Sequence, residues 1–421
     1  MFYHGRFFMN RVILHSDLNN FYASIECVRD PSLRSLPVAV CGDPDLRLGI
    51  ILAKNQIAKS RGVSTGEAIW QAKQKCPNLR LVKANYDSYL DYSRAAKKIY
   101  GRFTDQIEPF GIDECWLDVT GSSALFGTGQ KIADEIRDSI RKEMGITASI
   151  GVSFNKIFAK LGSDLRKPDY TTVIEKNNFR SVIWRLPASD LLYVGRSSEA
   201  KLKKIGIKTI GDIAAADAEV LCSQLGKWGE VLKKFASGED SSPVSYTGET
   251  SVIKSIGNSG TLPRDVSDPE DIKSAFYMLA DSVSARLRES ELKCRTVQIY
   301  VRDSDMFSYE RQGQLKYPSF ISKEIADKAM EIYAQKGVSL KPIRTLGVRG
   351  ANLVSKNACL QLDLFTNFIK RERTEAAEHC VDEIRNRFGY HSVKRGILFV
   401  DRKLTGINAK DEHVFTPVGY F

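Results

Sequence analysis

The stretch EPFGIDECWLDVT, residues 108–120, sets two acids, Asp113 and Glu114, side by side in an otherwise apolar, strand-like run. Phe110, Ile112, Trp116, Leu117 and Val119 around them suit a buried sheet. Ionised carboxylates are costly to bury without a partner. A fold that keeps both must bring a cation to them or leave them at a turn in water. Another acid, Asp17, closes a second buried-strand pattern, RVILHSDL (11–18), and is followed by Asn-Asn-Phe-Tyr. If the two strands are neighbours, three carboxylates meet at one sheet edge. Alone they would repel one another and raise their pKa values, whereas magnesium prefers carboxylate and phosphate oxygens. For Asp-Glu by itself, a solvent-facing hairpin turn is the plain alternative. Asp17 at a strand end shifts the balance toward a cation site.

The rest of the chain supplies a frame. NNFYASIECV reads as helical, PVAVCGD and GIILAKN as short strands, and NQIAKSRGV as a helix closing at Gly62. Residues 86–103 carry helical spacing at Tyr89, Tyr92, Ala96 and Ile99. The acid-bearing stretch follows as a hairpin, then the helix QKIADEIRDSIRKEM, the strand ITASIGVS and the helix NKIFAKLGSDLRK. Together they predict a mixed sheet backed by helices, with a small insert over 21–85. Residues 177–240 become short, helical and punctuated by glycine, and SGEDSSPVSYTGETS (237–251) reads as a linker. Beyond it, strand and helix patterns in the order β-α-β-β-α-β predict a compact two-layer domain. A final helix is expected over RERTEAAEHCVDEIRNRF.

Composition narrows the class. With 43% hydrophobic and 27% charged residues the chain is an ordinary well-packed protein, and no apolar run nears the ~20 residues needed to span a bilayer. The opening MFYHGRFFMN lacks the core of a secretory signal and reads as a disordered lead, with the fold starting near Met9. Eight cysteines are scattered without a C-x-x-C pair, which argues against a zinc site or disulfide framework and for a reducing cytoplasm. The five histidines are equally dispersed, and His379-Cys380 reads as ordinary helix. A net charge of +11, spread along the chain, is compatible with a polyanionic partner without locating its site.

ILHSDLNNFYASIE, EPFGIDECWLDVT and IGVSFNKIFAKLGSDLRKP, in that order, resemble three motifs of the Y-family DNA polymerases, translesion enzymes of the DNA polymerase IV and UmuC type. The resemblance runs from about Arg11 to past Phe365. It implies an α/β (α+β) right-handed fold: a palm (9–20 and 86–176), fingers (21–85), thumb (177–240), a linker (241–252) and a little finger (253–355), then a C-terminal stretch (356–421). It also implies that Asp17, Asp113 and Glu114, with the main-chain carbonyl of Leu18, hold two magnesium ions. Such a pair clamps the attacking and leaving oxygens of an in-line phosphoryl transfer. Many relatives carry an acid where this chain has Asn19.

The resemblance further assigns Tyr22, beside Asn20 and Phe21, to exclude a ribose 2′-hydroxyl; a core aromatic is the plain alternative. Where relatives place a Tyr and an Arg against the triphosphate, this chain has Gln56 and Lys59, and Lys59 lacks the bidentate fork of arginine. Lys167 matches the family's triphosphate lysine. LLYVGRSSEAKLKKIGIKTIGDIA (191–214) resembles helix-hairpin-helix modules, so Gly195, Gly206 and Lys208 are candidates to grip DNA phosphates through exposed amides. The alternation in TVQIYVR leaves one polar face on which Arg302, with Arg344 and Arg349, is a candidate for phosphate contact. QLDLF resembles the peptide that docks bacterial polymerases on the sliding clamp, through Gln361, Leu362, Leu364 and Phe365. The expected partners are thus primer-template DNA, deoxynucleoside triphosphates and the clamp, with the enzyme working as a monomer. Two rivals stay open: a palm-type nucleotidyl cyclase, and a silent assembly factor of the same family.

Overall fold

The structure is a computed structural model that describes residues 11–42, 49–249, 252–335, 341–359, 361, 363 and 366–406. The start expected near Met9 lies outside them. Twelve strands are found there: β1 (Ile13–Leu18), β2 (Val38–Cys41), β3 (Ile51–Lys54), β4 (Arg80–Lys83), β5 (Ile107–Pro109), β6 (Glu114–Asp118), β7 (Ala148–Ser153), β8 (Thr171–Val173), β9 (Ser255–Val266), β10 (Leu292–Asp303), β11 (Ser308–Ser319) and β12 (Ile343–Ser355). The chain divides into two compact units, one ending at Glu249 and the other following it.

In the first unit β1 is the middle strand of five, in the order β5-β6-β1-β7-β8, and all six of its residues are buried. Its alternation explains why. Leu14 and Leu18 join the core shared with the helices Tyr86–Tyr100 and Gly129–Met144. Ile13 instead packs with Trp116 and Ala159 on the other face. The Thr128 hydroxyl caps the Gly129–Met144 helix by accepting from the Lys131 amide, and Ile132, Ile136 and Ile140, four residues apart, give it one buried stripe. The opposite face is covered by the helix Lys156–Leu165, capped by Asn155. Gly151 lets that helix lie directly on β7, since a Cβ there would sit 1.9 Å from the Ala159 carbonyl oxygen.

The insert forms its own three-stranded sheet, β3-β2-β4, around Ala39, Cys41, Ile51, Ala58, Ala72 and Cys76. Strand β4 had no counterpart in the sequence reading. Residues 179–236 are helical, and the helices Arg196–Lys204 and Ile210–Ala215 meet at Gly206, whose φ of +81° favours glycine. The stretch read as a linker is pinned along the first unit. Val244 is buried, the Ser245 amide donates to Glu108 Oε2 at 3.1 Å and the Thr247 amide to the Asp105 carbonyl at 2.8 Å.

The second unit has the expected β-α-β-β-α-β order, with sheet order β11-β10-β12-β9 and every neighbouring pair antiparallel. The helices Pro269–Glu289 and Ser322–Ala334 bury one sheet face over Val297, Ile299 and Val301. Residues 366–406, whose purpose could not be read from sequence, complete this unit: Leu398 and Leu404 enter its core, and the helix Phe368–Phe388 lies on its helical side through ion pairs.

Candidate active site

The three acids do meet. Asp17 lies directly across from Glu114 in the antiparallel β1–β6 register, and the Leu18 amide donates to the Asp113 carbonyl at 3.1 Å. Two lysines attend them. Lys167 Nζ is 2.6 Å from Asp17 Oδ2, Lys160 Nζ is 2.9 Å from Glu114 Oε2, and Asp164 lies beside both lysines, at 2.8 Å from Lys167 and 3.8 Å from Lys160. Two ammonium groups do not balance this many carboxylates. Burial, countered in part by Lys167 and reinforced by Glu114, holds Asp17 well above the usual carboxylate range. Burial and Glu114 push Asp113 up to about 6. Lys167 is raised despite its burial, because Asp17 and Asp164 favour its charge.

His15, on the same face of β1 as Asp17, is fully buried and adds a further donor. Its Nδ1 is 2.8 Å from Ser163 Oγ, and that hydroxyl already donates to the Lys160 carbonyl. The ring hydrogen therefore belongs on Nδ1, leaving Nε2 as a bare acceptor without a hydrogen-bond partner, 3.8 Å from Glu114 Oε2. Burial, then Lys160 and Lys167, hold this imidazole neutral, far below its ordinary pKa. Among the described residues no three His, Cys, Asp or Glu side chains are gathered closely enough to hold a metal ion as they stand. The donor set nevertheless suits hard cations: carboxylate oxygens in excess, with lysine ammonium groups where cations would sit.

Asp17 and Asp113 open onto a cleft of about 280 Å³. Asp17, Leu18, Asn20, Phe21, Tyr22, Asp113 and Lys167 line it from one side, and Leu52, Ala53, Lys54 and Thr65 from the inserted sheet and its following loop. Tyr22 is both a packed aromatic and a cleft wall. Its ring stacks on Tyr89 at 4.3 Å and 16°, meets Tyr86 edge-on at 6.0 Å, and Tyr89 is itself tied to Glu26 at 2.8 Å. Asn19 does not line the cleft and is buried. Its Nδ2 donates to Ser149 Oγ at 3.0 Å, and its Oδ1 accepts from Thr147 Oγ1 at 3.1 Å and the Asp169 amide at 2.8 Å. An amide, unlike a carboxylate, can donate and accept at once, which ties β1 to the loop that carries Lys167.

Other expected residues fall elsewhere. Gln56 and Lys59 are exposed on the short helix Gln56–Ser60 and are not among the cleft lining. Gly195, Gly206 and Lys208 are exposed at the ends of the two hairpin helices. In the second unit Arg349 is exposed across from Gln298, on the strand face that also carries Arg302. Arg302 lies over Tyr300 at 5.6 Å, with its Nε lacking a hydrogen-bond partner. Arg344 takes the extra-residue position of a β-bulge between Ile343 and Thr345. Gln361 is exposed, whereas Leu362, Leu364 and Phe365 lie outside the described residues. The sequence reading passed over His15, Lys160, Lys54 and Thr65. The first two lie within the motif-like segments, and their contacts with acids far away in sequence gave no local signal.

Comparisons with known proteins bear on the family and the fold. Residues 16–164 match the model of the impB/mucB/samB family, and residues 253–364 that of its C-terminal domain. A DNA polymerase IV of Acetivibrio thermocellus is 52% identical over 95% of this chain and 100% of its own length. DNA polymerase IV 1 of Bacillus subtilis is 37% identical over 92% of this chain and 93% of its own. Among solved structures, a Y-family DNA polymerase chimera superposes with a TM-score of 0.73 at 24% identity, over 82% of this chain and 99% of the chimera. The chain belongs to the impB/mucB/samB family, the Y-family polymerases of the DNA polymerase IV and UmuC type, and has their fold.

Proposed function

We propose that this protein is a template-directed DNA polymerase that extends a primer 3′ end by two-metal-ion phosphoryl transfer, working in translesion synthesis. The observation that carries the reading is the register placing Asp17 across from Glu114, beside Asp113, at the mouth of a cleft lined by Tyr22 and Lys167. Asp17, Asp113 and Glu114, with the Leu18 carbonyl, would hold two magnesium ions, which supply Lewis acidity toward the primer hydroxyl and the triphosphate. The protein's own residues do the rest. Lys167 leaves Asp17 to meet the incoming phosphates as a mobile point charge. Tyr22, fixed by its stack on Tyr89, stands as a rigid wall against a 2′-hydroxyl.

The hairpin glycines Gly195 and Gly206 with Lys208, and separately Arg302, Arg344 and Arg349, would hold the duplex by its phosphates, so binding should weaken steeply with salt. In this reading the domain limits follow the boundaries expected from sequence, and residues 361–365 dock the protein on the sliding clamp. The experiment is primer extension with magnesium on intact and damaged templates. Asp113→Ala with Glu114→Ala should lower extension by about 10³-fold or more. Extension at the wild-type rate would sink the site assignment, and a wild-type protein that makes product only without primer-template would point to a cyclase instead.

A further inference from the structure

Among the described residues, one cation of the cleft has no ion-pair partner. Of the two lysines that line it, Lys167 sits on Asp17 and Asp164. Lys54, at the end of β3, has no carboxylate within ion-pair distance among the described residues; its ammonium instead donates to Thr65 Oγ1 at 3.0 Å. Glu67, the acid whose charge acts on Lys54, is committed elsewhere, since it accepts from Lys75 Nζ at 2.5 Å and from the Ser64 amide at 2.7 Å. Burial, then the positive charge of Lys59, press Lys54 toward losing its proton, and Glu67 opposes them only in part. Lysine left in that condition gains most from an incoming anion.

The pair is also held in place. The Gly66 amide donates to the Ile51 carbonyl at 2.8 Å, and the Ile51 amide to the Glu67 carbonyl at 2.9 Å, so the loop carrying Thr65 is laced to the strand carrying Lys54. As acceptor from Lys54, Thr65 keeps its own hydroxyl hydrogen free to donate. Lys54 and Thr65 therefore offer a point charge and a hydroxyl on a fixed backbone, in the cleft that Asp17 and Asp113 line.

We infer that Lys54 and Thr65 form the grip of the inserted sheet on the nucleotide's polyphosphate, taking the place expected of Gln56 and Lys59. The inference rests on the polymerase reading and deepens it: the acids and Lys167 serve the reacting phosphates from one side of the cleft, Lys54 and Thr65 from the other. Both contacts are made with the bound substrate before reaction, so they act mainly on its affinity.

Single-nucleotide incorporation by the full chain on primer-template DNA with magnesium tests this. Lys54→Met should raise KM for the deoxynucleotide by about 10–100-fold, the scale of one charge-assisted contact, with kcat changed by less than about 3-fold. Thr65→Val should raise KM by a smaller factor, Lys54→Arg should recover most of the loss, and Lys59→Met and Gln56→Ala should stay within about 3-fold of wild type. The inference is overturned if Lys54→Met leaves KM within that margin, if it lowers kcat alone, or if Lys59→Met or Gln56→Ala has the larger effect. Binding of a non-hydrolysable nucleotide to the protein–DNA complex, measured for the same variants, separates lost affinity from lost folding. A wild-type protein that incorporates nothing would fell the polymerase reading itself, a different outcome from an active protein indifferent to Lys54.

Discussion

Two clusters of buried charge, one in each unit, differ in how they are balanced. In the second unit Asp281, Glu378 and Asp382 meet Arg288, Arg385 and Arg395. Arg288 reaches Asp382 at 2.5 Å and Glu378 at 3.3 Å, Arg395 reaches Asp281 at 2.7 Å and Glu378 at 2.5 Å, and Arg385 reaches Asp281 at 3.2 Å. Each acid has an arginine and each arginine an acid, in the forked geometry that suits burial. At the edge of β1 and β6 the acids outnumber the lysines, and burial, with Glu114 adding to it, makes Asp17 and Asp113 hold their protons more tightly. A balanced cluster has finished its work when the chain has folded. An unbalanced one stores a demand for positive charge, which a ligand can meet.

That contrast can be broken at either end. Arg288→Met removes a guanidinium whose side chain is only 2% exposed and leaves Glu378 and Asp382 facing a lost partner. Breaking such a pair from one side costs about 3–5 kcal/mol. The four tryptophans, at 70, 116, 184 and 228, all precede residue 250 and would not report it. Hydrogen exchange in β10 and β12 during urea unfolding would, and unchanged protection there would mean the cluster is not holding the C-terminal helix down. Within the cleft, Tyr22→Ala removes a ring that sits on Tyr89 and should relax selection against ribonucleotides by about 10²-fold, the scale of discrimination against an added hydroxyl. Equal ratios of deoxy- to ribonucleotide incorporation in both proteins would take that wall out of the account.

Much of this was legible in the chain. The apolar runs in RVILHSDL and around Asp113–Glu114 marked two buried strands and QKIADEIRDSIRKEM a helix behind them, which placed the elements that bring the acids together. The β-α-β-β-α-β order of the second unit was equally plain. What escaped has a common cause. Lys160, His15 and Lys54 earn their places through contacts across the fold, with Glu114, Ser163 and Thr65, and neither a period nor a local motif records such contacts. Asn19 looked like a missing acid, and in the fold it is a two-ended hydrogen-bonding strut. The tail after residue 366 carries charges whose partners in the rest of the unit lie 47 to 137 positions away, so its helix could be read but its seat could not.

The measurement that bears most directly on the unbalanced acids is the metal-free stability of the first unit at pH 8, wild type against Asp113→Asn, followed by tryptophan fluorescence in urea. The Asp113 carboxyl titrates near 6 in the folded protein, above its unfolded value of about 3.9, so its contribution to stability is present in acid and lost as pH rises through 6. At pH 8 the asparagine variant should therefore be more stable than wild type, by roughly 1–3 kcal/mol, with the gap shrinking as pH falls below 6 and as magnesium is added to the wild type. A variant no more stable than wild type at pH 8, with magnesium stabilising both alike, would contradict the claim that this sheet edge is built short of positive charge.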